Sequence, residues 1–181
     1  MKTEKSIETP RLRLRAYQKE DRDFCLSLWC DEENGKYMSD PRSENISERY
    51  LSCFDGMEDD PEGYYLIAVR KENGERIGTC CVFEEGGNRD IGYCVAKMHW
   101  RRGFGSEMIA GLLDWVKEKG ANSLSAEVAD ENAASVALLK KFGFCAAEKT
   151  RFKKWGEETY FDAHVYRLSL DVEGAAGERS Q

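Results

Sequence analysis

The chain has 181 residues, 41% apolar and 34% charged, which is enough apolar surface for one core and too much charge for a membrane-embedded protein. Lys and Arg number 27 against 34 Asp and Glu, and the net charge of -7 opposes a broad electrostatic grip on nucleic acid or an anionic membrane. Met1 to Thr9 mix Lys and Glu without an apolar run, no stretch approaches the ~20 apolar residues that span a bilayer, and the expected compartment is cytoplasmic.

Arg11 to Tyr17 sets Leu12, Leu14 and Ala16 against Arg11, Arg13 and Arg15, the period of two of a strand with one buried face. From Glu20, the spacing of Phe24, Leu28 and the Cys25/Trp29 pair predicts a helix, and Arg49 to Phe54 a second, short one after Pro41. Asp55 to Glu62 carries five acids in eight residues with a Gly and a Pro, which reads as a solvated loop or as an acidic lip for a cationic substrate. Tyr64 to Val69 and Arg76 to Phe83 flank Asn73-Gly74 and predict a hairpin. The turn at Gly86-Gly87-Asn88 leads to a further strand, Asp90 to Ala96.

The period then changes. Phe104, Met108, Leu112 and Trp115/Val116 recur at helical spacing up to Gly120. Leu124 to Val128 reads as a strand, Asn132 to Phe142 as a helix stopped by Gly143, and Phe144 to Lys149 and Tyr160 to Leu168 as two more strands. The expected order is βααβββαβαββ, an α/β chain forming one domain over residues 1–170, with a frayed tail at 171–181. The seven cysteines form no CxxC pair and read as reduced thiols in apolar segments. His99, expected in an exposed loop, and His164 have no partners at ligand spacing, so no metal is assigned.

Trp100 to Ser106 joins a predicted strand to an amphipathic helix, where unpaired backbone N–H groups and the helix dipole favour an anion. Gly103 and Gly105 let a ligand approach the backbone, and Arg101 and Arg102 add local positive charge. The pattern is neither GxxxxGK[ST] nor GxGxxG, and an ordinary Gly-containing turn is the bland alternative. Downstream, Val128, Asn132, Ser135, Leu138 and Gly143-Phe144 spell V-x-x-x-N-x-x-S-x-x-L-x-x-x-x-G-F across a strand, a helix and a strand.

With these two segments the sequence resembles the GNAT superfamily of acetyl-CoA-dependent N-acetyltransferases, whose signature pairs an R/Q-x-x-G-x-G/A loop with that Asn-containing helix. Thr9 to Arg15, Ile91-Gly92-Tyr93, Trp100 to Glu107 and Asp162 to Tyr166 resemble the branch that acetylates ribosomal-protein N-termini (RimJ/RimL-like), and the likeness runs from Thr9 to Leu170. The resemblance implies a mixed, mostly antiparallel sheet of about seven strands, splayed between its fourth and fifth strands and flanked by about four helices. It implies acetyl-CoA in the opening, lined by Tyr93, Cys94 and Val95, whose backbone also stabilises the developing oxyanion. It places the pyrophosphate on Arg101, Arg102, Gly103, Phe104, Gly105 and Ser106, and the pantetheine arm near Asn132, which as an Asn also suits a helix cap.

The implied reaction is direct attack of a neutral amine on the thioester. A Lys-type or polyamine nitrogen near pKa ~10.4 needs a base more than an N-terminal amine near ~8 does. Glu127 stands five residues before Asn132, where some relatives place their base; a solvated strand carboxylate is the alternative, and Glu84 and Glu85 are weaker candidates. The Tyr often found seven residues after the Asn is Leu139 here, which leaves Ser135 as donor to the departing sulfur or simply a residue bonding its own helix. The expected partner is an amine acceptor, a protein or peptide N-terminus first and a polyamine, amino acid or aminoglycoside second. A non-catalytic acyl-CoA-binding regulator is the rival from another class. Monomer and homodimer both remain open.

Overall fold

The computed structural model describes residues 6–60 and 63–170; the expected tail at 171–181 and the end of the acidic Asp55 to Glu62 stretch lie outside them. Eight strands form one sheet in the order β1-β2-β3-β4-β5-β6-β8-β7. They are β1 (Ser6–Glu8), β2 (Leu12–Ala16), β3 (Gly63–Arg70), β4 (Arg76–Glu85), β5 (Asn88–Val95), β6 (Ser123–Ala129), β7 (Cys145–Lys153) and β8 (Tyr160–Ser169). The helices are α1 (Arg22–Trp29), α2 (Glu48–Leu51), α3 (Phe104–Glu118) and α4 (Ala133–Lys141), with short 3-10 turns between them. The seven-strand expectation misses β1, a three-residue edge strand in which only Ile7 is buried, too short to display a period.

Alternation decides which face each strand buries. Leu12 and Leu14 of β2, Leu66 and Ala68 of β3, Ile91 of β5 and Leu124, Ala126 and Val128 of β6 join Met108, Ile109 and Leu112 of α3 in the main core. The opposite face, covered by α1 and α2, holds Ile67, Tyr17, Cys25, Tyr50 and Phe54. β3 is therefore buried on both sides, which explains its nearly continuous apolar sequence.

All neighbouring strands are antiparallel except β5 and β6, which run parallel and pair only over Asn88↔Ser123, Arg89↔Leu124 and Asp90↔Ser125. Beyond Asp90 the two strands separate, so the sheet is open between them, as the resemblance implies for the fourth and fifth strands of the shorter count. β6 continues instead with β8, pairing Ala126↔Tyr166, Glu127↔Val165 and Val128↔His164. Among the described residues, the gap leaves one side of β5 from Ile91 to Val95 without a strand partner, beside the α3 N-terminus and α4.

Candidate active site

The separation of β5 from β6 opens a cleft continuous with solvent. Ile91, Gly92 and Tyr93 form one wall; Ala126 to Ala129 with Asn132 and Ser135 form the other; Tyr37 to Asp40 and Phe152 close one side. Four of the residues singled out from sequence, Tyr93, Glu127, Asn132 and Ser135, thus share one cavity.

Asn132 caps α4: its side-chain oxygen accepts from the Ser135 amide at 3.2 Å, a contact worth about 1 kcal/mol to the helix. Ser135 faces Tyr93 across the cleft with its Oγ 2.6 Å from the phenol oxygen. Burial pushes the Tyr93 phenol up to about 12, against the opposing effect of its bond with Ser135. Leu139, one turn further along, is wholly buried in the main core and does not line the cleft.

Glu127 projects opposite to Ala126 and Val128, which lie in the main core, so strand alternation turns it toward the face of α1 and α2. There it lines the cleft together with Asp40. Asp40 is half-buried and accepts from the Tyr50 hydroxyl at 2.6 Å. Burial pushes its carboxyl above the usual range, although the bond from Tyr50 and the charge of Lys154 oppose the shift. Nothing in the local sequence distinguishes Asp40 from its acidic neighbours; only the fold brings it into the cleft.

The loop that carries Asp40 is anchored by the tip of the β7–β8 hairpin. Lys154, 2% exposed, donates from Nζ to the carbonyls of Gly35 and Met38, each at 2.9 Å, and the Trp155 amide donates to the Ser39 carbonyl at 2.7 Å. Glu157 continues the strap, bonding the Asn45 side chain and pairing with Arg42. These contacts tie the loop that follows α1 to the tip of the β7–β8 hairpin.

On the other side of β5, α3 begins at Gly103, whose φ of +80° is left-handed backbone that an L side chain adopts only with strain. The amides of Gly103, Phe104, Gly105 and Ser106 find no backbone acceptor among the described residues; the first helical bond runs from the Glu107 amide to the Gly103 carbonyl at 3.0 Å. That is the arrangement in which a helix start accommodates an anion. A Cβ on Gly105 would stand 3.1 Å from Leu138 Cδ2, so glycine there lets α3 approach α4 closely. Arg101 is exposed with φ +57°, Arg102 lies over the Phe104 ring at 5.3 Å, and Ser106 Oγ accepts from Lys141 Nζ at 3.3 Å.

Three placements differ from expectation. The Cys94 thiol is buried away from the cleft, accepting from Asn34 Nδ2 at 3.8 Å. The Val95 carbonyl is already bonded by Asn34 Nδ2 at 2.9 Å and by the Trp100 indole N–H at 2.6 Å; Trp100 stands where the family signature has Arg or Gln. His99 is not exposed: it is 4% exposed, with Nε2 3.1 Å from Glu75 and Nδ1 3.1 Å from Arg102 Nη1, its ring edge-on to Phe104. Of these partners Glu75 is distant in sequence, and local polarity does not reveal that contact. Among the described residues, no group of three His, Cys, Asp or Glu side chains is arranged to hold a metal ion, and no helix is long and apolar enough to cross a membrane.

Comparison with known proteins finds the family model described as acetyltransferase (GNAT) domain matching residues 11–145. A Bacillus licheniformis protein named N-acetyltransferase p20, itself uncharacterised, is 30% identical over 169 residues, covering 90% of this chain and 95% of its own. Among solved structures, spermidine N-acetyltransferase from Vibrio cholerae, in complex with CoA and spermine, superposes with a TM-score of 0.73 at 19% identity, covering 88% of this chain and 95% of that one. A Vibrio cholerae protein assigned as a ribosomal-protein-serine acetyltransferase superposes at 0.71 with 18% identity, covering 91% and 97%.

Proposed function

The chain belongs to the GNAT acetyltransferases, and on that premise we propose that its cleft transfers an acetyl group from acetyl-CoA to a primary amine, with a protein or peptide N-terminus as the leading acceptor. The observation that carries this reading is the parting of β5 from β6 after Asp90, next to a helix start whose first four amides lack backbone acceptors among the described residues. The donor set fits acetyl-CoA: an anion-binding helix start at Gly103 to Ser106, two flanking arginines, and an open strand edge leading into the cleft. When bound, acetyl-CoA supplies the acetyl group as an activated thioester.

The remaining roles fall to this chain's own side chains. Gly103 to Ser106 hold the pyrophosphate through their amides, with Arg101 and Arg102 adding charge. Tyr93 and the backbone of β5 line the pantetheine path, and Asn132, besides capping α4, faces it near the sulfur. Glu127 takes the proton from the incoming amine, and Asp40 attracts that amine while it is still an ammonium ion. Ser135 faces the departing sulfur.

The N-terminal acceptor is preferred because its amine, near pKa ~8, asks least of a base, and because the IGY, loop and last-strand motifs resemble the RimJ/RimL-like branch. A second reading, a cationic small amine, is favoured by the two carboxylates, Asp40 and Glu127, that line the cleft. The test is a pooled panel of peptides and small amines incubated with acetyl-CoA and analysed by mass spectrometry. Acetylation of peptide N-termini alone supports the first reading, polyamine products alone the second, and no product with any amine refutes both.

A further inference from the structure

We propose that Tyr93 is a positioning residue that orients the Ser135 hydroxyl toward the departing CoA sulfur, in place of a phenol that α4 lacks at position 139. The inference rests on the acetyl-transfer reading above and adds a residue from the opposite wall of the cleft to it. Three observations carry it. Tyr93 and Ser135 both line the cleft, from β5 and α4 respectively. Their oxygens are 2.6 Å apart, and the phenol also lies 3.4 Å from the Ser135 carbonyl oxygen, which only accepts. Either hydroxyl can donate across the 2.6 Å contact; in this proposal the phenol donates and the serine Oγ accepts.

With Oγ accepting from the phenol, the serine's own proton is free to point into the cleft. The Asn132 cap on the Ser135 amide holds that end of the helix in place. At position 139 the helix turns into the core, where Leu139 is 0% exposed, so a phenol placed there would meet the core and not the cleft.

The chemistry balances without a proton leaving either hydroxyl. As the amine nitrogen bonds the acetyl carbon, the carbon–sulfur bond breaks, its electron pair stays on sulfur, and the amine proton passes to Glu127. A thiol of pKa ~8.5 leaves readily as thiolate. The phenol and the serine both keep their protons, and each donates a hydrogen bond: Tyr93 to Ser135, and Ser135 to the new thiolate. A donor whose own oxygen accepts a hydrogen bond is polarised and donates more strongly.

The test reads binding and not turnover. Calorimetric titrations compare CoA with desulfo-CoA at about pH 7 and about pH 9.5, on either side of the thiol pKa of ~8.5, for the unaltered protein, Tyr93→Phe, Ser135→Ala and Ser135→Thr. One charge-assisted bond to the thiolate corresponds to about tenfold in affinity. The unaltered protein is expected to prefer CoA over desulfo-CoA by about that factor at the higher pH and little at the lower. Tyr93→Phe and Ser135→Ala are expected to keep the parent's circular dichroism spectrum, which shows that they fold, and to lose the preference of CoA over desulfo-CoA; Ser135→Thr keeps it. Retention of the preference in Tyr93→Phe, or its absence in the unaltered protein, overturns the inference and leaves the acetyl-transfer reading standing. Failure of the unaltered protein to bind either compound overturns both.

Discussion

Replacing Lys154 by Met tests whether the hairpin strap holds the acceptor side of the cleft. The ammonium is buried, and its two bonds, to the Gly35 and Met38 carbonyls at 2.9 Å each, are of the charged kind, worth about 1.5–3 kcal/mol apiece. Removing the ammonium also removes the cost of burying it, a cost evident in the way burial pulls the Lys154 pKa down. Met fills much of the stem volume, so the net loss is about 2–3 kcal/mol. For a chain of this length that corresponds to a fall in melting temperature of roughly 4–12 °C, read by circular dichroism.

Because the folded-state pKa lies below the unfolded value, the unfolded chain binds the proton more tightly. The burial penalty is present in full below the folded pKa and is relieved as pH rises toward ~10.4, so the gap between parent and variant widens in that alkaline window. Steady-state kinetics should show a higher KM for the amine with the affinity for acetyl-CoA unchanged, since the strap touches the loop bearing Asp40 and not the α3 N-terminus. A melting temperature within about 1 °C of the parent, with an ordinary amine KM, would refute the reasoning.

Other consequences can be checked with single variants. Asp21 is 1% exposed and bonds both terminal nitrogens of Arg15, at 2.6 and 2.8 Å, and Arg76 at 3.1 Å. Burial pushes its pKa up, but these bonds and the Gln18 amide outweigh that and hold it below the ordinary value. Its contribution is present above the unfolded pKa of ~3.9 and is lost as pH falls through the lowered folded value. Asp21→Asn should cost about 3 kcal/mol near neutral pH by urea denaturation and flatten that acid limb; equal acid sensitivity in the variant counts against the assignment. Glu127→Gln should lower kcat about 10²-fold or more, least for acceptors of low pKa, in a series of amines of graded basicity; a uniform loss across the series would remove Glu127 as the base. Asp40→Asn should raise the amine KM about tenfold while sparing neutral-pH folding, measured by initial rates and thermal melts; unchanged KM would exclude its part in drawing the ammonium in.

Period and punctuation gave most of the secondary structure because these are local signals. Asn73-Gly74 turns a hairpin, Gly120 and Gly143 end helices with positive φ, and Asn132 caps α4 as its position and type suggest. The open sheet is another matter. No residue of β5 or β6 announces that pairing stops after Asp90; only the likeness to a family implies the gap. Asp40, Tyr50 and Lys154 converge through contacts spanning up to 119 positions of chain, and a buried lysine satisfied by two carbonyls looks, in sequence, like any solvated one. The burial of His99 escapes local polarity for the same reason: its partner Glu75 reaches it through the fold. The placement of Leu139 in the core is likewise a matter of how α4 is rolled against the sheet, which its weak apolar pattern leaves undetermined.

The most direct test of the central claim is a calorimetric titration with acetyl-CoA of the unaltered protein and of a variant carrying Gly103→Val and Gly105→Val. Valine at Gly103 conflicts with the positive φ, and valine at Gly105 drives into Leu138, so a circular dichroism spectrum must accompany the titration. Saturable micromolar binding to the unaltered protein, lost in a variant that keeps its secondary structure, is the expected result. Absence of binding to the unaltered protein, or undiminished binding to the variant, would contradict the assignment of the cleft and its helix start to acetyl-CoA.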